Sequence, residues 1–187
     1  MEKELKSILF KTFLTIICVL GGVFLLAKFA KDPILEYASV FVKTFGVPGL
    51  FFGMLLSDAL PAFVPPDAFL LMALAGKMNE VAVIISTGFG SVIGGSIAYA
   101  IGYYLIPRIQ IGKKFLMEHE EKLLPYVRKY GFGAVVLAAL TPIPYSWMSY
   151  TVGTFKMNFF VFVLGSLFRF VRLGGYFYAM KLGWILG

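Results

Sequence analysis

Hydrophobic residues in this chain come in unbroken blocks, and polar residues gather between the blocks. Between Lys11 and Lys28 lie 16 uncharged residues, TFLTIICVLGGVFLLA. With its flanks this block reaches the roughly 20 residues that a spanning helix needs. It lacks a small-residue cleavage site of A-x-A type, so it reads as an uncleaved anchor. The stretch KFAKDPILEYASVFVK, 28 to 43, mixes charges with apolar positions and reads as a connector at the membrane interface.

The next block is split. Thr44 to Ser57 is 14 residues, followed by Asp58, ALPAFVPP, Asp67 and AFLLMALAG. Neither piece is long enough to cross about 30 Å of hydrocarbon, and Pro61, Pro65 and Pro66 break any helix between them. Two short apolar half-helices joined at a polar tip describe a re-entrant hairpin, tolerated at membrane depth only where protein or a wet cavity surrounds it. Glu80 and Arg108 then bracket 27 residues without charge, a spanning helix. Gly90, Gly94, Ala98 and Gly102 recur on it at four-residue spacing, a stripe that lets another helix approach closely, from this chain or from a second copy. Residues 108 to 129 hold six basic residues and three acids among scattered apolar positions, an interfacial amphipathic segment. A second split block follows, YGFGAVVLAAL, TPIP and YSWMSYTVGTF, broken by Pro142 and Pro144. The last block, 157 to 180, is apolar except for Arg169 and Arg172.

The halves resemble each other. FGVPGL precedes the first break and YGFGAV the second; KMN follows each hairpin, at 77 to 79 and at 156 to 158. The predicted fold is therefore an all-α polytopic membrane protein. One N-terminal spanning helix and connector (1–43) precede an inverted repeat of two re-entrant hairpins (44–76 and 130–155). Each hairpin leads into a spanning helix, 80–107 and 157–181, with the amphipathic segment 108–129 between the halves. Broken helices meeting near the midplane are how many secondary transporters build a substrate site. On this topology ten basic residues fall on the side of the N-terminus and five on the other, which predicts a cytoplasmic N-terminus and an outside C-terminus in the cell membrane.

Composition agrees with the pattern. The residues AVILMFWYC make up 59% of 187 and charged residues 14%, with a mean hydropathy of +0.85. A soluble domain is about half apolar and a quarter charged, so this supply cannot solvate a surface. The net charge of +7 is explained by anionic lipid headgroups and the positive-inside rule, and nucleic acid is not expected as a partner. Cys18 and His119 are the lone cysteine and histidine, which excludes an internal disulfide and leaves no Ser-His-Asp or metal constellation. An enzyme, a cofactor and a metal are not expected.

Four charges stand in apolar surroundings: Asp58, Asp67, Arg169 and Arg172. Each costs on the order of 3 kcal/mol at membrane depth, so the acidic and basic pairs are expected to converge in the interior. In one reading the aspartates cap half-helices and the arginines neutralise them. In the other, the arginines attract an anionic headgroup while Asp67 and then Asp58 act as proton-coupling or gating groups. Thr141, Tyr145 and Ser146 at the second break line the same cavity or satisfy backbone freed by the prolines.

At FVPPDAFLL, GSVIGGSIAYAIGYYL, YGFGAVVLAALTPIPYSWMSYTVGTFKMNFFVF and SLFRFVR the chain resembles the DedA superfamily, also called the VTT-domain or SNARE-associated Golgi protein family, and most of all its short YqaA-type branch. The resemblance runs from about Phe45 to Tyr178. It implies facing re-entrant hairpins and movement of lipid between leaflets: polyprenyl-phosphate recycling in prokaryotes and phospholipid scrambling in eukaryotes. By the same resemblance Asp67 matches the acid of a PPD or PGE motif, and Arg169 and Arg172 match the basic pair of a GRxxR-like motif, with Phe168 where glycine is usual. Where better-known members carry arginines beside the second break, this chain has Ala139 and Tyr145, and Ser146 follows where the YqaA-type branch often has lysine. The expected function is a lipid translocase with membrane lipids and protons as partners. A proton-coupled small-solute transporter and a non-transporting membrane structural protein are the alternatives.

Overall fold

The computed structural model describes residues 31–60, 66–110, 127, 129–141 and 144–186. The N-terminal block with Cys18, His119 and most of segment 108–129, and Pro61, Pro65 and Pro142, lie outside the described residues. Every regular element among the described residues is helical: α1 (Lys31–Thr44), α2 (Gly46–Ala59), α3 (Pro66–Ala75), α4 (Glu80–Tyr104), α5 (Lys129–Leu140), α6 (Tyr145–Thr154), α7 (Phe159–Ser166) and α8 (Phe168–Leu186). Glu80–Arg108 and Phe159–Gly183, of 29 and 25 residues, are long and apolar enough to cross a membrane. The expected single helix over 157–181 is divided by a turn at Leu167, after which the chain resumes as α8.

α2, α6 and α8 pack against α4, which has two unlike faces, while α1 packs on α2 and α3. Val81, Ile85, Phe89, Ile93 and Ile97 recur every fourth residue and are exposed. The buried face carries Ser86, Thr87, Gly90, Ser91, Gly94, Gly95, Ala98 and Gly102. On α7 and α8, Phe160, Leu164, Val171, Leu182 and Ile185 are exposed too. On α4, small and hydroxyl-bearing residues inside with large apolar ones outside invert the pattern of a water-soluble bundle, while Leu50, Met54, Leu70, Phe162 and Phe177 of the other helices fill the interior around it; in lipid, close backbone approach drives helix association. Three interior hydroxyls are satisfied within their own helices: Thr87 donates to the Val83 carbonyl at 2.7 Å, Ser149 to that of Tyr145 at 2.9 Å and Ser166 to that of Phe162 at 2.8 Å.

The glycine stripe is used within the chain. A Cβ on Gly90 or Gly94 would stand 2.4 Å from the carbonyl oxygens of Phe51 and Leu55 in α2, respectively. One on Gly102 would stand 2.3 Å from the Tyr150 carbonyl of α6, and one on Gly153 would stand 2.2 Å from the Tyr99 carbonyl of α4. Because residues 47, 51 and 55 meet 86, 90 and 94 in turn, α2 runs in the direction of α4. It stops near the midpoint of α4, where Tyr145 at the start of α6 lies against Gly95. From there α6 continues toward the C-terminal end of α4. α8 runs the opposite way, with Phe170 against Gly88 and Lys181 paired with Glu80.

The two KMN turns repeat each other in detail. Lys77 and Lys156 have φ of 53° and 54°. Met78 N–H donates to the Ala73 carbonyl and Met157 N–H to that of Val152, both at 3.0 Å, the signature of a left-handed helix stop. Asn79 and Asn158 then accept backbone N–H bonds at the starts of α4 and α7.

Replacing Gly94 with valine forces a side chain onto main chain that cannot yield, and stability should fall by roughly 1–3 kcal/mol. Gly133 has open space around it, so Gly133→Ala should be neutral or stabilising. Thermal melts of the detergent-solubilised protein check both; equal melts for the two variants would contradict the packing described.

Candidate functional site

Asp58 stands in the last turn of α2, where the negative end of the helix dipole disfavours a carboxylate. Asp67 stands in the first turn of α3, behind Pro66 at the first helical position, where both residue types are favoured. Helix chemistry therefore accounts for Asp67 and leaves Asp58 needing a partner. Arg169 supplies it. Its Nη2 lies 2.6 Å from Asp58 Oδ2 and its Nε donates to Ser91 Oγ at 2.6 Å. Ser91 in turn donates to Asp58 Oδ2, which closes a three-membered ring of hydrogen bonds. The guanidinium also lies over the Tyr145 ring, 4.7 Å from its centroid. Arg169 is 1% exposed and Asp58 3%, so the network is closed on every side. Ser91 is near the middle of α4, about 17 Å along the axis from Glu80 and about 20 Å from Tyr104 at 1.5 Å per residue.

Arg172 is half-buried, one turn further along α8. Its Nη1 donates to the Thr141 carbonyl at 2.6 Å, and the group lies over the Tyr176 ring at 5.0 Å. Thr141 follows α5 immediately, so a cation sits on a carbonyl at the C-terminal end of that helix, where the dipole favours it. Asp67, also half-buried, is near enough for its charge to interact with that of Arg172. At the end of α2, the Tyr150 hydroxyl donates to the Ala59 carbonyl at 2.6 Å. Two helices that stop near the middle of the molecule thus each have a side-chain donor on a terminal carbonyl, as unsatisfied groups there require.

Of the sequence-predicted residues, Asp58, Arg169 and Tyr145 come together directly. Thr141 is buried and meets Arg172 through its main chain, while its hydroxyl donates to the Leu137 carbonyl. Ser146 is buried beside Tyr145 in sequence. Pro66 begins α3 and Pro144 caps α6. Ser91 was missed by sequence reasoning. The available signal was a hydroxyl within the small-residue face of a charge-free helix, and nothing in the spacing distinguished it from Ser86 or Ser96. Tyr176 was missed too. The hydroxyls of Tyr145 and Tyr176 are buried without a hydrogen-bond partner among the described residues.

The family model of the VTT domain matches residues 64–182. The chain belongs to the VTT-domain family. An uncharacterized protein of Haemophilus influenzae is 32% identical over 104 residues, 54% of each chain. An uncharacterized protein of Methanocaldococcus jannaschii is 27% identical over 148 residues, 74% of this chain and 86% of its own. The chain therefore spans about half the length of the Haemophilus relative. No solved structure is significantly similar. Family and long apolar helices together make this a DedA-type membrane protein. The VTT match encloses Asp67, Ser91, Arg169 and Arg172, whereas Asp58 precedes it.

Removing one member of a buried ion pair strands the other charge. Arg169→Met should cost about 3–5 kcal/mol, and adding Asp58→Leu should recover most of that loss. Chemical denaturation in detergent measures the cycle. A single variant as stable as the double would show that the pair is not closed in solution.

Proposed function

We propose that the chain is a lipid translocase of the DedA type, moving a phospholipid or polyprenyl-phosphate headgroup between leaflets. The observation that carries this reading is the Asp58–Ser91–Arg169 network at the middle of α4, where α2 ends and α6 begins. In this reading the hairpins α2–α3 and α5–α6 enter from opposite faces of the membrane and meet there. The N-terminus is cytoplasmic and the C-terminus is outside, in the cell membrane. The same-direction packing of α2 and α6 along α4 supports it, because each helix covers one half of that span.

The two arginines take different parts. Arg169 is enclosed and holds α2, α4 and α8 together. Arg172 is half-buried, beside Asp67, and its bond to a carbonyl is the one that a phosphate oxygen can replace, since charge-assisted bonds to an anion are the stronger. Asp67 is the carboxylate that gates or exchanges a proton as the headgroup passes, and the tails stay in lipid. No enzymatic step, cofactor or metal enters.

The completeness of the Asp58–Arg169 network favours one second reading, a membrane structural protein whose charges serve folding alone. Reconstituted vesicles separate the two. The full chain should exchange a labelled phospholipid or a labelled polyprenyl phosphate between leaflets. Arg172→Gln should slow that exchange about tenfold, the loss of one charge-assisted contact, with melting nearly unchanged. If a pH gradient drives exchange, Asp67→Asn should abolish the response. Folded protein that moves neither lipid would overturn the reading in favour of the structural role, or of solute transport if a solute flux indifferent to lipid is found.

A further inference from the structure

A second feature lies at the far end of α4, about 18 Å along the helix from Ser91. There a cavity of about 520 Å³ is lined by Tyr99, Ala100, Tyr103, Tyr104, Lys156, Met157, Asn158 and Phe159. Four aromatic rings form its walls, and the lining holds a lysine and no carboxylate. The cavity is built rather than incidental. The Tyr99 hydroxyl donates to the Met157 carbonyl, fastening the KMN turn to α4. The Tyr99 ring stacks on Tyr103 at 6.1 Å and on Phe162 at 5.0 Å, and Asn158 is held by its bonds to the start of α7.

Lys156 projects from backbone with φ of 54°, a conformation that favours glycine and disfavours a side chain. Its ammonium lies 6.0 Å from the centroid of Tyr103. What sets Lys156 apart is its place over an aromatic wall of the cavity. An anion suits the cavity better than a quaternary ammonium, because the lysine already occupies a ring face and would repel a second cation. Tyrosines and lysine at the end of a spanning helix stand at headgroup depth, so the anion at hand there is a lipid phosphate.

We propose that this cavity is a docking site for the phosphate of a membrane lipid headgroup, with Lys156 as its cationic contact and Tyr103 and Tyr104 beside the glycerol or isoprenoid stem. Binding here does not require transport and does not depend on the buried network.

The first half of the chain provides the control. Lys77 occupies the same left-handed position in the equivalent turn, and glycine suits the backbone at both sites, so neither Lys156→Gly nor Lys77→Gly should unfold the protein. The full chain in neutral-lipid nanodiscs would be titrated with a photoreactive short-chain phosphatidic acid, and labelled peptides mapped by mass spectrometry. Label is expected in residues 99–104 and 155–159, with the affinity about tenfold weaker in Lys156→Gly and unchanged in Lys77→Gly. Equal losses in both variants, or none in either, would overturn the proposal in favour of diffuse surface charge. Inorganic phosphate that displaces the probe at equal concentration would overturn it in favour of a free-phosphate site.

Discussion

A buried ion pair fixes this architecture. Asp58 and Arg169 are each almost wholly enclosed, and in a medium that cannot solvate either one, each is stable only against the other. The pair is 111 residues apart in sequence and joins three helices through Ser91. Its position matters as much as its strength. It stands where α2 has stopped and α6 begins, so the backbone is interrupted where side chains from three helices meet. The interruption creates open carbonyls, and Tyr150 and Arg172 each close one. Charge, tyrosine hydroxyl and broken helix are therefore one arrangement: the helices can end inside the molecule because polar side chains of neighbouring helices reach their ends.

Close packing makes that reach possible. Gly90 and Gly94 bring α2 against α4, while Gly102 and Gly153 bring α6 against it. A side chain at any of these would push a half-helix outward and lengthen the contacts on which the central network depends. The large apolar residues that α4 excludes from its packed face lie on its outer face, with further exposed ones on α7 and α8, where they suit lipid rather than water.

Much of this was legible in the sequence. The charge-free block 81–107 marks α4, Pro66 and Pro144 stand at the starts of α3 and α6, and the duplicated KMN marks two turns whose lysines agree in φ to within a degree. The four intramembrane charges were visible because each is so costly in its setting. Their partners were harder to read. Spacing puts Arg169 and Arg172 on one face of a helix, and it does not say that one meets a carboxylate while the other meets a carbonyl. Ser91 looks like any small residue in its stripe, since a serine hydroxyl is usually satisfied by its own helix. The aromatic cavity was hidden for another reason. Nothing in the spacing of Tyr99, Tyr103 and Tyr104 marks them as a group, and only the return of the second KMN turn onto α4 makes them walls.

The two arginines do different work, yet they share one helix. Arg169 ties α8 to α2 and α4, and Arg172 ties α8 to the end of α5. Three residues rise only about 4.5 Å along a helix, so a shift or rotation of α8 that frees Arg172 also strains the contacts of Arg169. The enclosed pair resists that motion, because separating it exposes two charges to a medium that does not stabilise them. Asp67 has no such anchor: helix chemistry favours it where it is, and it remains half-buried near Arg172. The closed Asp58–Arg169 pair thus sets where α8 sits, Arg172 one turn further along reaches a main-chain carbonyl rather than a carboxylate, and α8 is the element that joins the two contacts.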